Sequence, residues 1–187
     1  MDIGRIDIVL GCMFSGKTTE VIAECKKWFS ISKNALCINY FADDRYGDDD
    51  NLYSHDKEKI KCVRVYKLND VDDELIKSSD IILINEGQFF DDLIDNCVKW
   101  CDVYNKKIIV SGLDGDFLRK PFGKILDLIP HANSVKKLKA FCSICKDGTH
   151  AHFSSRLSNE ADQVVIGSSN YVAVCRKHYL SLQKDKK

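Results

Sequence analysis

Ile6-Asp7-Ile8-Val9-Leu10-Gly11-Cys12-Met13-Phe14-Ser15-Gly16-Lys17-Thr18 joins a short apolar run to a glycine-framed loop, and a segment of helical periodicity follows. Glycine, four residues, then Gly-Lys-Thr is the pattern of a Walker A phosphate loop. Gly11 and Gly16 permit turns that a Cβ would obstruct. Successive N–H groups can then be aimed at phosphate oxygens beside the positive end of the next helix. Lys17 is placed to reach the β- and γ-phosphates and the Thr18 hydroxyl to coordinate Mg²⁺.

Outward from this loop the chain alternates. Val21, Ile22, Cys25, Trp28 and Phe29 recur at helical spacing, so residues 17–29 are expected to form an amphipathic helix. Leu36 to Phe41 is rich in strand formers, Cys62 to Val65 is a short strand candidate and Val71 to Ile76 a short helix. Ile81-Ile82-Leu83-Ile84 is an uninterrupted aliphatic run, as in a parallel strand covered on both faces. Phe90, Leu93, Ile94, Cys97, Cys101 and Tyr104 share one face of the helix expected next, and Lys107 to Gly112 is a further strand. This order predicts an α/β fold, a P-loop NTPase-like parallel sheet flanked by helices. From Phe141 the character changes to cysteine pairs, histidines and turn residues. The expected organisation is therefore an α/β domain over 1–140, a small zinc-ribbon-like domain over 141–182 and a disordered polar tail over 183–187.

The 187 residues are 44% hydrophobic and 30% charged, which suits a globular chain with a real core. Twenty-eight basic and 28 acidic side chains balance, so no global field points to nucleic acid or to a membrane surface. The longest aliphatic run is too short to cross a bilayer, and Met1 to Arg5 does not read as a secretory signal. An intracellular, cytoplasmic protein is expected. Its nine cysteines are odd in number and spread through apolar segments, unlike a disulfide framework. Cys97 and Cys101, at i and i+4, read as core packing or as half of a metal site.

Two further stretches carry chemistry. After the aliphatic strand come Asn85 and Glu86, at the carboxyl edge where ligands of open α/β sheets bind. Glu86 there can serve as general base toward a hydroxyl attacking the γ-phosphate, or the pair can simply begin a helix with Asn85 as its cap. Cys142-Ser143-Ile144-Cys145 and, thirty residues on, Cys175-Arg176-Lys177-His178 form two corners able to supply four tetrahedral ligands to Zn²⁺. Such a closed site is structural. His150 and His152 compete with His178 as fourth ligand, and a disulfide is the remaining alternative.

Together these motifs resemble the type 2 thymidine kinases. The resemblance rests on the loop through Glu20, Asp43-Asp44-Arg45-Tyr46, Ser54-His55-Asp56 and Glu86-Gly87-Gln88-Phe89-Phe90. It continues through Leu113-Asp114-Gly115-Asp116-Phe117-Leu118-Arg119-Lys120-Pro121-Phe122-Gly123 and both metal corners. It implies transfer of the γ-phosphate of ATP to the 5′-hydroxyl of thymidine, with Glu86 as general base. It implies a pocket of Met13, Phe89, Leu113, Phe117 and Phe122, and a loop of Gln163, Val164, Val165, Ile166 and Gly167, with Tyr171, holding the thymine edge. It also implies a homotetramer inhibited by thymidine triphosphate.

The chain departs from the family pattern in four places, one of them His178 as a variant fourth zinc ligand. Cys12 stands where proline is usual, the base-holding loop is one residue short, and Asn85 stands where an acidic residue usually helps to hold Mg²⁺. Asn85 motivates two expectations: an enzyme with weaker Mg²⁺ handling, or a nucleotide-binding regulator without catalysis. A third reading, an ATPase whose zinc ribbon grips nucleic acid, is disfavoured by the neutral charge.

Overall fold

The computed structural model describes residues 3–42, 51–53, 58–158, 163 and 170–184. The elements run β1 (Arg5–Gly11), α1 (Lys17–Ser30), β2 (Ala35–Tyr40), β3 (Asn51–Tyr53), β4 (Lys59–Lys61), β5 (Val63–Val65), α2 (Asp73–Ser78), β6 (Ile81–Ile84), α3 (Leu93–Val98) and β7 (Lys107–Gly112). They continue with β8 (Ser134–Leu138), β9 (Ala140–Phe141), β10 (His150–Ala151), β11 (Phe153–Arg156), β12 (Tyr171–Val174) and α4 (Arg176–Lys184).

Six strands form one parallel sheet in the order β5-β2-β6-β7-β1-β8. The alternation of side chains along a strand divides each apolar run between two cores. Ile6, Ile8, Leu10, Leu36, Ile38, Ile82, Ile84, Ile108 and Val110 pack on one face with Phe90, Leu93 and Trp100. Val9, Cys37, Ile81, Leu83 and Ile109 pack on the other with Val21, Ile22 and Cys25 of α1. All four residues of β6 are at most 1% exposed. At about 1.5–3 kcal/mol per fully buried aliphatic side chain, their burial exceeds the cost of ordering that backbone, about 1–2 kcal/mol per residue.

The helix after β6 departs from the expected pattern. Phe90 precedes α3, and α3 ends at Val98 in a π-turn over Lys99–Val103. Cys97 and Cys101 both join the first core, so packing is their role. Burial pushes the Cys97 thiol well up, which keeps it protonated. The strand β8 and the hairpin of β3 and β4 were not expected from the sequence. Ser134–Leu138 is largely exposed and carries two lysines, yet it closes the sheet edge by pairing along β1. The last helix runs to Lys184, two residues into the segment expected to be a tail. The motifs Asp43 to Tyr46 and Ser54 to Asp56 lie outside the described residues.

The segment after β8 builds three further short pieces of sheet and helix around a third, smaller cluster. Ala140, Cys142, Ala151, Ala173, Val174, Cys175 and Tyr179 are buried there, and Cys12 of the phosphate loop is buried with them.

Candidate active site

The glycine loop links β1 to α1 at the carboxyl edge of the sheet. Gly16 has φ 87°, a left-handed conformation that favours glycine, and α1 starts at Lys17 directly after it. A Cβ at Gly11 would overlap the Ser15 hydroxyl. The Lys17 ammonium donates to the Cys12 carbonyl at 2.9 Å, across the loop, and is only 8% exposed. The Ser15 hydroxyl is buried with no hydrogen-bond partner among the described residues. An orphaned hydroxyl, a buried ammonium and a helix N-terminus form a donor set that fits a phosphate chain. Thr18 lies in the first turn of α1, half-buried.

Two residues pin this loop from outside. The Ser154 hydroxyl of β11 accepts from the Met13 N–H at 2.9 Å, and the Cys12 thiol approaches the Ala151 carbonyl at 3.6 Å. Proline at position 12 lacks that donor, so the cysteine adds a tie between the loop and the C-terminal segment.

At the end of β6 Glu86 adopts φ 55°, ψ 41°. A non-glycine residue in the left-handed region is strained by about 1–3 kcal/mol and persists only where its surroundings impose it. Here they do. Glu86 is 5% exposed, its Oε2 accepts from Gln88 Nε2 at 2.6 Å, and its carbonyl accepts from the Phe89 N–H at 3.0 Å. Gln88 in turn accepts from the Leu113 N–H at 2.9 Å, bridging the carboxylate to the loop after β7. A Cβ at Gly112 would overlap Gln88 Oε1, and one at Gly123, at φ 57°, would overlap the Gln88 main-chain carbonyl.

Asn85 does not cap a regular helix. It is 1% exposed; its Nδ2 donates to Asn39 Oδ1 and its Oδ1 accepts from the Ser111 hydroxyl, both at 2.9 Å. This neutral chain spans β2, β6 and β7 just beneath Glu86.

Of the expected pocket residues, Phe89 and Phe122 form one group and Phe117, Gln163 and Tyr171 another. Phe89 stacks on Tyr40 (4.9 Å between centroids) and meets Phe122 edge-on (5.4 Å). Phe117 lies in the loop after β7, where Asp116 Oδ1 accepts from the Leu118 and Lys120 N–H groups. Gln163 Nε2 donates to Asp116 Oδ2 at 2.8 Å, and Tyr171 begins β12. Residues 164–167 lie outside the described residues.

The four metal-ligand candidates converge. The ligand atoms of Cys142, Cys145, Cys175 and His178 all lie within 4.8 Å of one another. Tetrahedral Zn²⁺ with bonds of about 2.3 Å to sulfur and about 2.0–2.1 Å to nitrogen sets S···S near ~3.8 Å and S···N near ~3.6 Å. The corresponding separations are 3.9 Å for Cys145 and Cys175, and 3.5, 3.3 and 3.4 Å from His178 Nδ1 to Cys142, Cys145 and Cys175. The donor set fits zinc, and Nδ1 is the nitrogen turned to it. Burial pushes the Cys142 thiol up, but backbone N–H groups of Cys145, Cys175 and Ile144, with His178, outweigh it and bring the thiol down to about 6. Among the described residues, none of the nine cysteines is in a disulfide, and His150 instead stacks on Phe141.

The profile of the family described as thymidine kinase matches residues 4–179. The chain belongs to the thymidine kinase family. It is 42% identical over 180 residues to the thymidine kinase of Yaba monkey tumor virus, covering 96% of each chain. It is 40% identical over 181 residues to that of Vaccinia virus strain Western Reserve, covering 96% of this chain and 99% of the relative. A plant relative, the thymidine kinase of Oryza sativa subsp. japonica, is 40% identical over 186 residues and covers 96% of this chain and 68% of its own.

Several residues around this kinase-family site carried no role in the sequence reading. Gln88 stood inside a quoted motif without a role, and its only sequence signal was its spacing from Glu86. Asn39 and Tyr40 of β2, Ser111 of β7, and Ser154 and Arg156 of β11 come from three strands, and nothing in their local sequence marks them.

Proposed function

We propose that the chain is an ATP-dependent thymidine kinase that moves the γ-phosphoryl group of ATP to the 5′-hydroxyl of thymidine, with Glu86 as general base. The observation that supports it best is a buried carboxylate at the tip of β6, in a chain of this family, beside a phosphate loop. In the sheet order β7 separates β6 from β1, so Glu86 and the loop stand two strand spacings apart, about 9–10 Å. That gap accommodates a γ-phosphate and an attacking hydroxyl.

Gly11 to Gly16 cradle the phosphates by main-chain N–H groups, and Lys17 swings from the Cys12 carbonyl to the β- and γ-oxygens. Glu86 accepts the 5′-hydroxyl proton. Met13, Phe89, Leu113, Phe117 and Phe122 enclose the base, while Gln163, Val164, Val165, Ile166 and Gly167, with Tyr171, hold its edge. Mg²⁺, when bound, neutralises charge on the β- and γ-phosphates, and Thr18 is the residue that would hold it. Zn²⁺ on Cys142, Cys145, Cys175 and His178 would have no open position and serves the fold of residues 141–182. A cytoplasmic homotetramer inhibited by thymidine triphosphate completes the reading. Among the described residues no helix is long and apolar enough to cross a membrane.

Incubation with labelled ATP and thymidine, with and without Mg²⁺, tests this. Thymidine monophosphate formed only with Mg²⁺ supports it. Nucleotide binding without turnover would favour a regulator of the same fold, a reading that nothing in the comparisons supports.

Asn85 makes a sharper case. Its Oδ1 has already taken one hydrogen bond, from Ser111, so at most one lone pair is left for a Mg²⁺-bound water. Asn85→Asp restores a charge without changing shape, and the Asn39 amide can turn to donate to it. The expected result is a lower Mg²⁺ concentration for half-maximal activity, read from a Mg²⁺ titration of initial rates. An unchanged titration would leave Asn85 a purely structural link between Asn39 and Ser111.

A further inference from the structure

Arg156 is the last residue of β11 and is 1% exposed, among the largest fully buried side chains in the protein. A buried guanidinium is costly unless its surroundings receive it, and its neighbours here come from separate parts of the chain. Its Nη2 donates to the Tyr171 hydroxyl at 2.6 Å and to the Gln163 carbonyl at 3.0 Å. Its plane lies over the Phe117 ring, 3.8 Å from the centroid, and 5.2 Å from that of Tyr171.

The backbone makes this a fixed point. Arg156 and Tyr171 are register partners across β11 and β12, and the Leu157 N–H donates to the Asn170 carbonyl. Arg156 therefore sits at the neck of the loop that contains Gln163. Gln163 is held twice, by its carbonyl to Arg156 and by its amide to Asp116. Phe117 is also held twice, by its ring against Arg156 and by its carbonyl, which accepts from the Tyr179 hydroxyl at 2.8 Å. With one face of the Phe117 ring covered by the guanidinium, a planar base can stack only on the other.

We propose that Arg156 is a positioning residue that sets nucleoside affinity and selectivity. One planar cation clamps Phe117, Gln163 and Tyr171 at a single separation and so defines the width of the base slot. The proposal rests on the reading above that these three residues frame the nucleoside site. Lysine cannot substitute, because an ammonium lacks the flat face that stacks on Phe117 while two N–H bonds of Nη2 reach Gln163 and Tyr171.

The test compares Arg156→Lys, Arg156→Met and Phe117→Leu in the full chain, with zinc content measured on each. The expected result for both Arg156 variants is a fall of about 10²-fold in kcat/KM for thymidine, the size of loss that a misplaced slot produces. It should be carried by KM for thymidine, with KM for ATP and zinc content unchanged, and discrimination between thymidine and deoxycytidine should relax. A wild-type thymidine KM in Arg156→Lys would overturn the clamp. Parallel rises in both KM values with loss of zinc would also overturn it, making Arg156 a folding residue. If Phe117→Leu alone raises the thymidine KM, the clamp fails while the pocket stands. If neither position moves it, the pocket reading fails as well.

Discussion

Glu86→Gln is expected to lower the turnover of thymidine phosphorylation by about 10²–10⁴-fold, the usual contribution of a general base, while ATP and thymidine still bind. The substitution keeps size and shape. Gln88 Nε2 can still donate to the amide oxygen that replaces Oε2, so the bridge to the Leu113 N–H survives. The left-handed backbone at position 86 is imposed by the turn and by burial, and an amide meets the same constraints as a carboxylate. The negative charge and the capacity to take a proton are lost. Initial rates, paired with equilibrium binding of each substrate, separate this from a binding defect. Wild-type turnover in the variant would remove Glu86 from the chemistry.

Cys175→Ser is the second change with a large expected effect, and its reach should extend beyond the metal. Among the described residues the cluster beneath the zinc corners has eight buried members, mostly alanines and thiols, and one of the eight, Cys12, belongs to the phosphate loop. With so small a core, the proposed zinc is expected to supply the fold of this segment, since structural zinc in zinc-finger peptides contributes about 10–16 kcal/mol at neutral pH. The phosphate loop rests on this segment through Cys12 to Ala151 and Met13 to Ser154. Two hydrogen bonds at about 0.5–1.5 kcal/mol each span about 5–150-fold in affinity, and the long thiol contact puts the pair near the lower end. The expected outcome is loss of bound zinc, a lower Tm, and affinity for ATP reduced about tenfold along with affinity for thymidine. Metal analysis, thermal melting and nucleotide binding check it. Full ATP affinity in a metal-free variant would uncouple the two sites.

The parts legible in the amino-acid order were those whose physics is local. The phosphate loop needs its glycines and lysine at fixed spacing, and Gly16 does adopt the positive φ that this spacing demands. β6 announced itself because four consecutive aliphatics cannot be half-exposed, and the sheet buries all four. The zinc corners were readable because each pair of ligands is set by a short turn. β8 was not readable: Ser134 to Leu138 has no apolar face to detect, and it becomes a strand because β1 offers its backbone an edge. The π-turn after α3 was equally hidden, since Cys97 and Cys101 at helical spacing suit either geometry.

The chemistry divides in the same way. Which groups can handle phosphate, a proton and zinc follows from residue types at short spacing, and Gly11 to Thr18, Glu86 and the two C-x-x-(C/H) corners carry that information in sequence. How those groups are held follows from contacts between residues far apart in the chain. Asn39 with Asn85 and Ser111, Cys12 with Ala151, and Arg156 with Phe117, Gln163 and Tyr171 are each joined only by folding. A hydrogen bond or a stacked ring depends on separations of a few ångströms, and no periodicity along the chain encodes them. The opening loop thus declares its phosphate chemistry alone, while its setting against the zinc segment and Glu86 is a property of the assembled sheet.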